Sequence, residues 1–275
     1  MSALKELQSR VLRFAREYRE VAAAIDGPSL VRYSGAIALA APAILKTRLL
    51  APADDRMATT LVKVRDGGHT YRIPGKHFGL IREIYCRRVY NYVDGFEIRP
   101  GDQVVDLGAN VGAFSVRAAV AGAKVLAIEA QDGFADEFWE LMRENGVTER
   151  VTLVNGLVGA SVGKLADPAA LREASHLRHV PKEVALEALL DEHGFDRVDL
   201  LKLDIEGSEF DVIAHADAWL GKVQKIVMEV HAHFGDSRAL ARRLEDAGFR
   251  VTRVDPAGKP VGPSFTGDSF MFCRR

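Results

Sequence analysis

"GDQVVDLGANVGAFSVRAAVAGAKVLAIEAQ", Gly101 to Gln131, passes from a short apolar strand through a glycine-bearing turn into a helical run and a second strand. Val104, Val105 and Leu107 make the first strand, with Asp106 near its tip, and "GANVG" leads directly into a helix expected from Ala113 to Ala121. Glu129 closes the second strand. Strand, loop, helix and strand ending in an acid is the pattern of a nucleotide site.

A Cβ at Gly108 or Gly112 is expected to obstruct a sharp turn and the approach of a ligand. In the dinucleotide fingerprint the slot held here by Asn110 is glycine, because a pyrophosphate packs against it, whereas Ala113 satisfies the sixth position. The polar Asn110 suits an uncharged or zwitterionic group, so the expected ligand lacks phosphates. Glu129 stands 21 positions after Gly108, near the spacing at which an acid accepts hydrogen bonds from both ribose hydroxyls. A phosphate-free adenosine fits both observations.

These residues also carry a likeness to a known family. "VVDLGANVGAFS" at 104 to 115, "IEA" at 128 to 130, "LLKLDIEGSEFDVI" at 200 to 213 and "VMEVH" at 227 to 231 resemble the FkbM family of S-adenosylmethionine-dependent methyltransferases. The resemblance runs from about Tyr85 to the end of the chain, and the "DIEGSE" block makes it more specific than a generic methyltransferase pattern. It implies a class I, Rossmann-like α/β fold with a doubly wound, mostly parallel sheet and an antiparallel last strand. It also implies S-adenosyl-L-methionine as methyl donor and usually a hydroxyl oxygen as acceptor.

Composition narrows the alternatives. The chain has 275 residues, 48% of them apolar, enough for one large α/β domain with an appendage. A net charge of −1 leaves no electrostatic footprint for a polyanion, so no nucleic-acid partner is expected. Two distant cysteines give neither a disulfide framework nor a zinc spacing, which suits a reducing, cytoplasmic setting. The most lipid-like run, Gly35 to Ala51, is interrupted by Pro42, Lys46 and Arg48, and no secretory leader pattern stands at the N-terminus, so no membrane partner is expected either.

The expected division is residues 1–84, an N-terminal helical segment with a β-hairpin serving as cap or homodimerisation arm, and 85–275, the cofactor-binding domain. An amphipathic helix is expected over 3 to 25, and a second from Ser29 to about Leu50 broken near Pro42. "TTLVKVRDGGHTYRI", from Thr59 to Ile73, alternates around Asp66-Gly67-Gly68 as a hairpin does. Tyr85 and Tyr90 precede the first sheet strand, where an aromatic either contacts the methionine end of the cofactor or packs in the core. Further on, strands near 151–155, 198–204 and 225–231 alternate with helices near 133–145, 184–192, 208–219 and 238–247. "FRVTRV" and "SFMFCR" close the sheet without a helix between them.

In an open parallel sheet, ligands bind beyond the carboxyl ends of the strands. The expected cofactor residues are therefore Asp106, Gly108, Ala109, Asn110 and Gly112 on the loop, Glu129 and Ala130 at the ribose, Asn155, Gly156 and Leu157 near adenine, and Asp204. The expected catalytic residues are Asp204, Glu229 and His231. Either His231 or Asp204 removes the acceptor's proton, or Asp204, Glu229 and His231 hold magnesium that lowers the hydroxyl's pKa; the metal-free route is favoured. Glu206 and Glu209 flank Gly207 in the same cluster. His176, Arg178, His179, His69 and His77 read as solvated loop residues that are also candidates for an acceptor pocket. The expected acceptor is a small molecule, natural product or glycan. The alternative is methylation of nitrogen or carboxylate on a small molecule or peptide, and weaker alternatives are a non-catalytic cofactor-binding partner and a nicotinamide-dependent oxidoreductase, the last opposed by Asn110.

Overall fold

The computed structural model describes residues 3–159 and 176–275, with side chains from Leu12 onward. Most of the expected Gly- and Ala-rich excursion after the third sheet strand lies outside the described residues. The chain divides into two compact units, residues 1–88 and 89–275.

The first unit holds helix α1 (Ala3–Ala24), helix α2 (Gly27–Thr47) and a hairpin of β1 (Leu61–Asp66) and β2 (His69–Pro74). Asp26 starts α2 by accepting the Ser29 N–H, and Pro28 occupies the first turn, where no N–H is needed. The expected break at Pro42 is absent, and the helix continues to Thr47 with Pro42 on its exposed side. The missing hydrogen bond there faces solvent, so the rest of the helix can carry it. Tyr33 stacks on Phe78 at 4.5 Å and donates to Asp54, whose other oxygen lies 2.9 Å from Arg82. Burial raises the Asp54 pKa to about 6. Tyr85 packs on Tyr71 of β2 at 5.0 Å and so belongs to this unit's core. Cys86, on a widened helical turn Ile81–Cys86, is a free thiol whose pKa burial pushes up to about 12.

The second unit is built on a seven-stranded sheet: β3 (Gln103–Leu107), β4 (Lys124–Glu129), β5 (Val151–Asn155), β8 (Leu200–Leu203), β9 (Lys225–Val230), β10 (Arg250–Val254) and β11 (Ser269–Arg274). Its order is β10-β11-β9-β8-β3-β4-β5. All neighbours run parallel except those of β11, which is antiparallel to both β9 and β10. The inserted antiparallel last strand is as the family resemblance implies. Two further short strands, β6 (Leu157–Val158) and β7 (Glu183–Val184), pair in parallel beside it. Val184 therefore extends before the helix Leu186–Glu192 rather than starting it.

The inner strands are apolar on both faces because helices cover them, which is why "VVDL", "LLKL" and "KIVMEV" carry few polar residues. Leu126, Ile128, Leu201, Leu203, Met228 and Met271 pack with Leu190, Trp219, Leu240 and Leu244 in one core. Each such side chain contributes about 1.5–3 kcal/mol. Cys273 lies fully inside β11, with its thiol pKa raised by burial. The order in which strands are added reverses between β3 and β8, since β4 and β5 extend the sheet one way and β8 and β9 the other. A crevice beyond the strand tips belongs at that reversal.

Candidate active site

The loop after β3 is held by protein contacts. A Cβ at Gly108, whose φ is +78°, would stand 1.8 Å from the Asp204 carbonyl oxygen at the tip of β8. One at Gly112, with φ +85°, would meet Met142 and Phe138 at 2.7 Å. The glycines are required as expected, but the obstruction arises from neighbouring backbone and side chains rather than from a ligand. Asn110 sits at φ +51° and its Oδ1 accepts the Val111 N–H at 2.7 Å. Asparagine is among the few non-glycine residues that tolerate this conformation, so its side-chain oxygen serves the turn while the residue stays exposed. Ala109 is buried, and its N–H donates to Ile128.

Glu129 ends β4 with both oxygens anchored by backbone. Oε2 accepts the Asn110 N–H at 2.7 Å and Oε1 the Gln131 N–H at 2.8 Å. Burial raises its pKa, against the effect of those two hydrogen bonds. A carboxylate has about four acceptor positions, so two hydroxyl groups can still be received. Asn155, paired across the register with Glu129, is exposed, and its amide lies 3.5 Å from the Glu129 carbonyl. Gly156 N–H donates to that same carbonyl, and Leu157 is buried. Ala130 is half-buried beside them.

Asp106, expected at the cofactor, is 0% exposed and is an internal strut. It accepts the Ser115 hydroxyl at 2.7 Å and forms an ion pair with Lys202 at 3.0 Å. Lys202 is buried in β8, directly opposite Asp106 in the register, and donates to the Gly108 carbonyl at 2.7 Å. Burial works against its charge, but Asp106, Asp204 and Glu129 overcome that and raise its pKa. The sequence reading missed Lys202 and Ser115. Opposite charges in the middle of "VVDL" and "LLKL" were the available signal for the pair, while Ser115 carried none.

At the β8 and β9 tips, Asp204, Glu229 and His231 come together, with ligand-capable atoms all within 4.8 Å of one another. Tyr90, buried edge-on against Phe114 and Phe270, donates to Asp204 Oδ2 at 2.9 Å. Of the two tyrosines weighed for this region, Tyr90 meets Asp204, while Tyr85 packs on Tyr71 within the first unit. Glu209, fully buried, accepts the N–H groups of Gly207 at 2.8 Å and His231 at 2.7 Å, and lies 3.2 Å from His231 Nδ1. His231 Nε2 lies 3.5 Å from Glu206. Burial lowers the His231 pKa, but Glu209, Glu229 and Glu206 outweigh it and hold the ring at about 9. At neutral pH His231 is therefore a cation and a hydrogen-bond donor.

His176, Arg178 and His179 are exposed loop residues, each with a partner in this structure. His176 stacks on Phe134 at 4.2 Å, and Asp132 accepts the Arg178 N–H and lies 2.6 Å from His179 Nδ1. The His179 contact leads the causes that lower the Asp132 pKa to about 2. His69, by contrast, is exposed on the hairpin of the first unit.

The residues present fit S-adenosylmethionine. Glu129 keeps acceptor capacity for ribose hydroxyls, and the loop carries no basic side chain of its own for a phosphate, while Lys202 beneath it is committed to Asp106. Around Lys202 stand three carboxylates, Asp106, Glu129 and Asp204, leaving an excess of negative charge suited to a sulfonium cation.

An open parallel sheet with one inserted antiparallel strand, a glycine turn at the switch point and acids at the adjacent tips defines a class I methyltransferase-type domain. Residues 106–251, more than half of the chain, match the methyltransferase FkbM domain, and the chain belongs to that family. It is 29% identical over 217 residues to the 31-O-demethyl-FK506 methyltransferase FkbM of Streptomyces tacrolimicus, spanning 62% of this chain and 81% of that protein. It is 28% identical over 227 residues to the AMB antimetabolite synthetase AmbE of Pseudomonas aeruginosa, of which it spans only 10%. Among solved structures, Aeropyrum pernix fibrillarin with bound S-adenosyl-L-methionine aligns with a TM-score of 0.46 at 12% identity, covering 78% of this chain and 83% of fibrillarin.

Proposed function

We propose that this chain transfers a methyl group from S-adenosyl-L-methionine to a hydroxyl of a small molecule, natural product or sugar in the cytoplasm. One observation carries the reading: Glu129, with acceptor capacity to spare, and the Asp204–Glu229–His231 cluster stand at strand tips on either side of the Gly108–Gly112 turn. Donor and acceptor chemistry are thereby adjacent. The relative from Streptomyces tacrolimicus, an O-methyltransferase by name, supports oxygen as the acceptor atom.

When bound, the donor supplies a methyl group on a positively charged sulfur, which leaves as a neutral thioether. The acceptor oxygen forms the new C–O bond as the C–S bond breaks, and Asp204, oriented by Tyr90, takes the hydroxyl proton. His231, carrying a proton at neutral pH, donates a hydrogen bond to the acceptor instead of serving as base. A general base supplies about 10²–10⁴ in rate, whereas alignment of two bound partners supplies roughly 7–11 kcal/mol. Positioning is thus the larger part of the catalysis. The test is calorimetry with S-adenosylmethionine and S-adenosylhomocysteine, followed by acceptor profiling with methyl-labelled donor. Failure to bind either nucleoside overturns the reading, and label appearing only on nitrogen or carboxylate replaces hydroxyl by those acceptors.

A metal-assisted route is the second reading, favoured by the proximity of Asp204, Glu229 and His231. Two carboxylates and an imidazole suit magnesium with retained waters, or a transition ion. Metal ligation by His231 would have to displace the proton that the surrounding carboxylates favour, which makes it pH-dependent. On the metal-free route, activity is expected to persist after exhaustive chelation. Loss on chelation and recovery with magnesium would establish the metal route.

A further inference from the structure

The outer face of α2 is apolar, although the helix belongs to a unit with its own core. Val31, Leu39 and Leu45 are 73%, 72% and 81% exposed. With Gly35, Ala38 and Pro42 they form one stripe at helical spacing, opposite the buried stripe of Ser29, Tyr33, Ala36 and Ala40. Only 22% of the most apolar window of α2 is buried, although the helix is long and apolar enough to cross a membrane by length and composition alone. Six of the seven large exposed apolar residues in the described chain, Leu12, Val31, Leu39, Leu45, Leu49 and Leu61, fall in this one unit. Solvated singly, such residues need no explanation; Val31, Leu39 and Leu45, gathered on one face of α2, mark an interaction face.

Charge selects the occupant. From Gly27 to Ala53 the chain carries Arg32, Lys46 and Arg48 and no acidic residue. All three basic side chains are exposed, and Arg32 and Lys46 border the stripe. Packed against a second copy, the stripe would set Arg32 against Lys46 in an antiparallel pair, or against itself in a parallel one, with no carboxylate on either helix to offset the repulsion. An anionic lipid surface offers both an apolar layer for the leucines and phosphates for the basic rim. Spanning is opposed by the inner face, where Tyr33 stacks on Phe78 and donates to Asp54, itself paired with Arg82. Rotating α2 into a bilayer would strip those buried groups of their partners.

We infer that the N-terminal unit docks on an anionic membrane surface, with α2 lying in the interface and its Val31–Leu39–Leu45 stripe in the lipid. The sequence reading discounted a membrane because Pro42, Lys46 and Arg48 interrupt the run, but those residues rule out only a spanning segment. A cavity of about 700 Å³ between α1, α2 and the Ile81–Cys86 turn, lined by Phe14, Ile37, Ile44 and Leu49 with Glu17 and Glu20, flanks the stripe and meets it at Leu45.

The test is co-sedimentation of the full chain with vesicles of phosphatidylcholine alone and of phosphatidylcholine with phosphatidylglycerol. Binding is expected only to the anionic vesicles, falling as salt rises. The variant Leu39→Glu with Leu45→Glu should bind at least about tenfold more weakly, while circular dichroism and S-adenosylhomocysteine affinity stay unchanged. Arg32→Glu with Lys46→Glu should show the same loss. Equal binding to both vesicle types, or to neither, overturns the inference. So does a dimer in light scattering that the leucine variant dissociates, because a second copy would then be the occupant.

Discussion

Glu129 meets the ribose in the proposed complex while its own oxygens are fixed by two backbone N–H groups. Little side-chain entropy remains to be lost on binding, and truncation removes a charged acceptor worth about 1.5–3 kcal/mol. Glu129→Ala should therefore weaken S-adenosylhomocysteine binding by roughly one to two decades in calorimetry. At His231 the folded pKa, about 9, lies above the ordinary value of 6.5. The stabilisation this protonation provides is fully present below about pH 6.5 and is lost as pH rises through 9. The melting temperature of the wild-type protein should exceed that of His231→Gln in acid and neutral buffer, and the gap should close above pH 9. A gap that widens with pH would mean that the ring is neutral in the native state.

Among the elements, β3 and β8 couple core to site through Asp106 and Lys202. Removing one member of a buried pair leaves the other uncompensated, at a cost of about 3–5 kcal/mol. Lys202→Met should lower stability by that amount in denaturant titration and loosen the loop whose Gly108 carbonyl the ammonium holds. Elements of this kind were largely legible beforehand. Strand β3, the loop and β4 follow from apolar runs ending in glycine or acid, and those patterns record burial directly, whereas the antiparallel direction of the final strand comes from the family resemblance. Helix α2 was legible in extent but not in continuity, because proline's penalty depends on which way the missing hydrogen bond faces. The tip residues Asp204, Glu229 and His231 were readable as a cluster because strand tips converge. The work each does was not readable. Asp106 turned inward because its partner, Lys202, is set by strand register, while the exposed Asn110 is tied to the Val111 N–H by a backbone angle that residue type alone does not announce.

At the level of the whole molecule, every group assigned to cofactor and acceptor lies in residues 89–275, which form a compact unit with their own core. That segment expressed alone should fold and bind S-adenosylhomocysteine within about half a decade of the full chain. A much larger loss would mean that residues 1–88 help to build the pocket. The two thiols provide a further handle on this division. Cys86 lies in the first unit and Cys273 in the second, both free and both held in the unreactive protonated form by burial. Cys273, fully inside β11, can be alkylated only when the second unit opens, whereas the half-buried Cys86 lines the cavity of the first unit and can be reached without opening it. The labelling rate of Cys273, followed by mass spectrometry, would therefore report how often the cofactor-binding unit breathes, with no engineered probe.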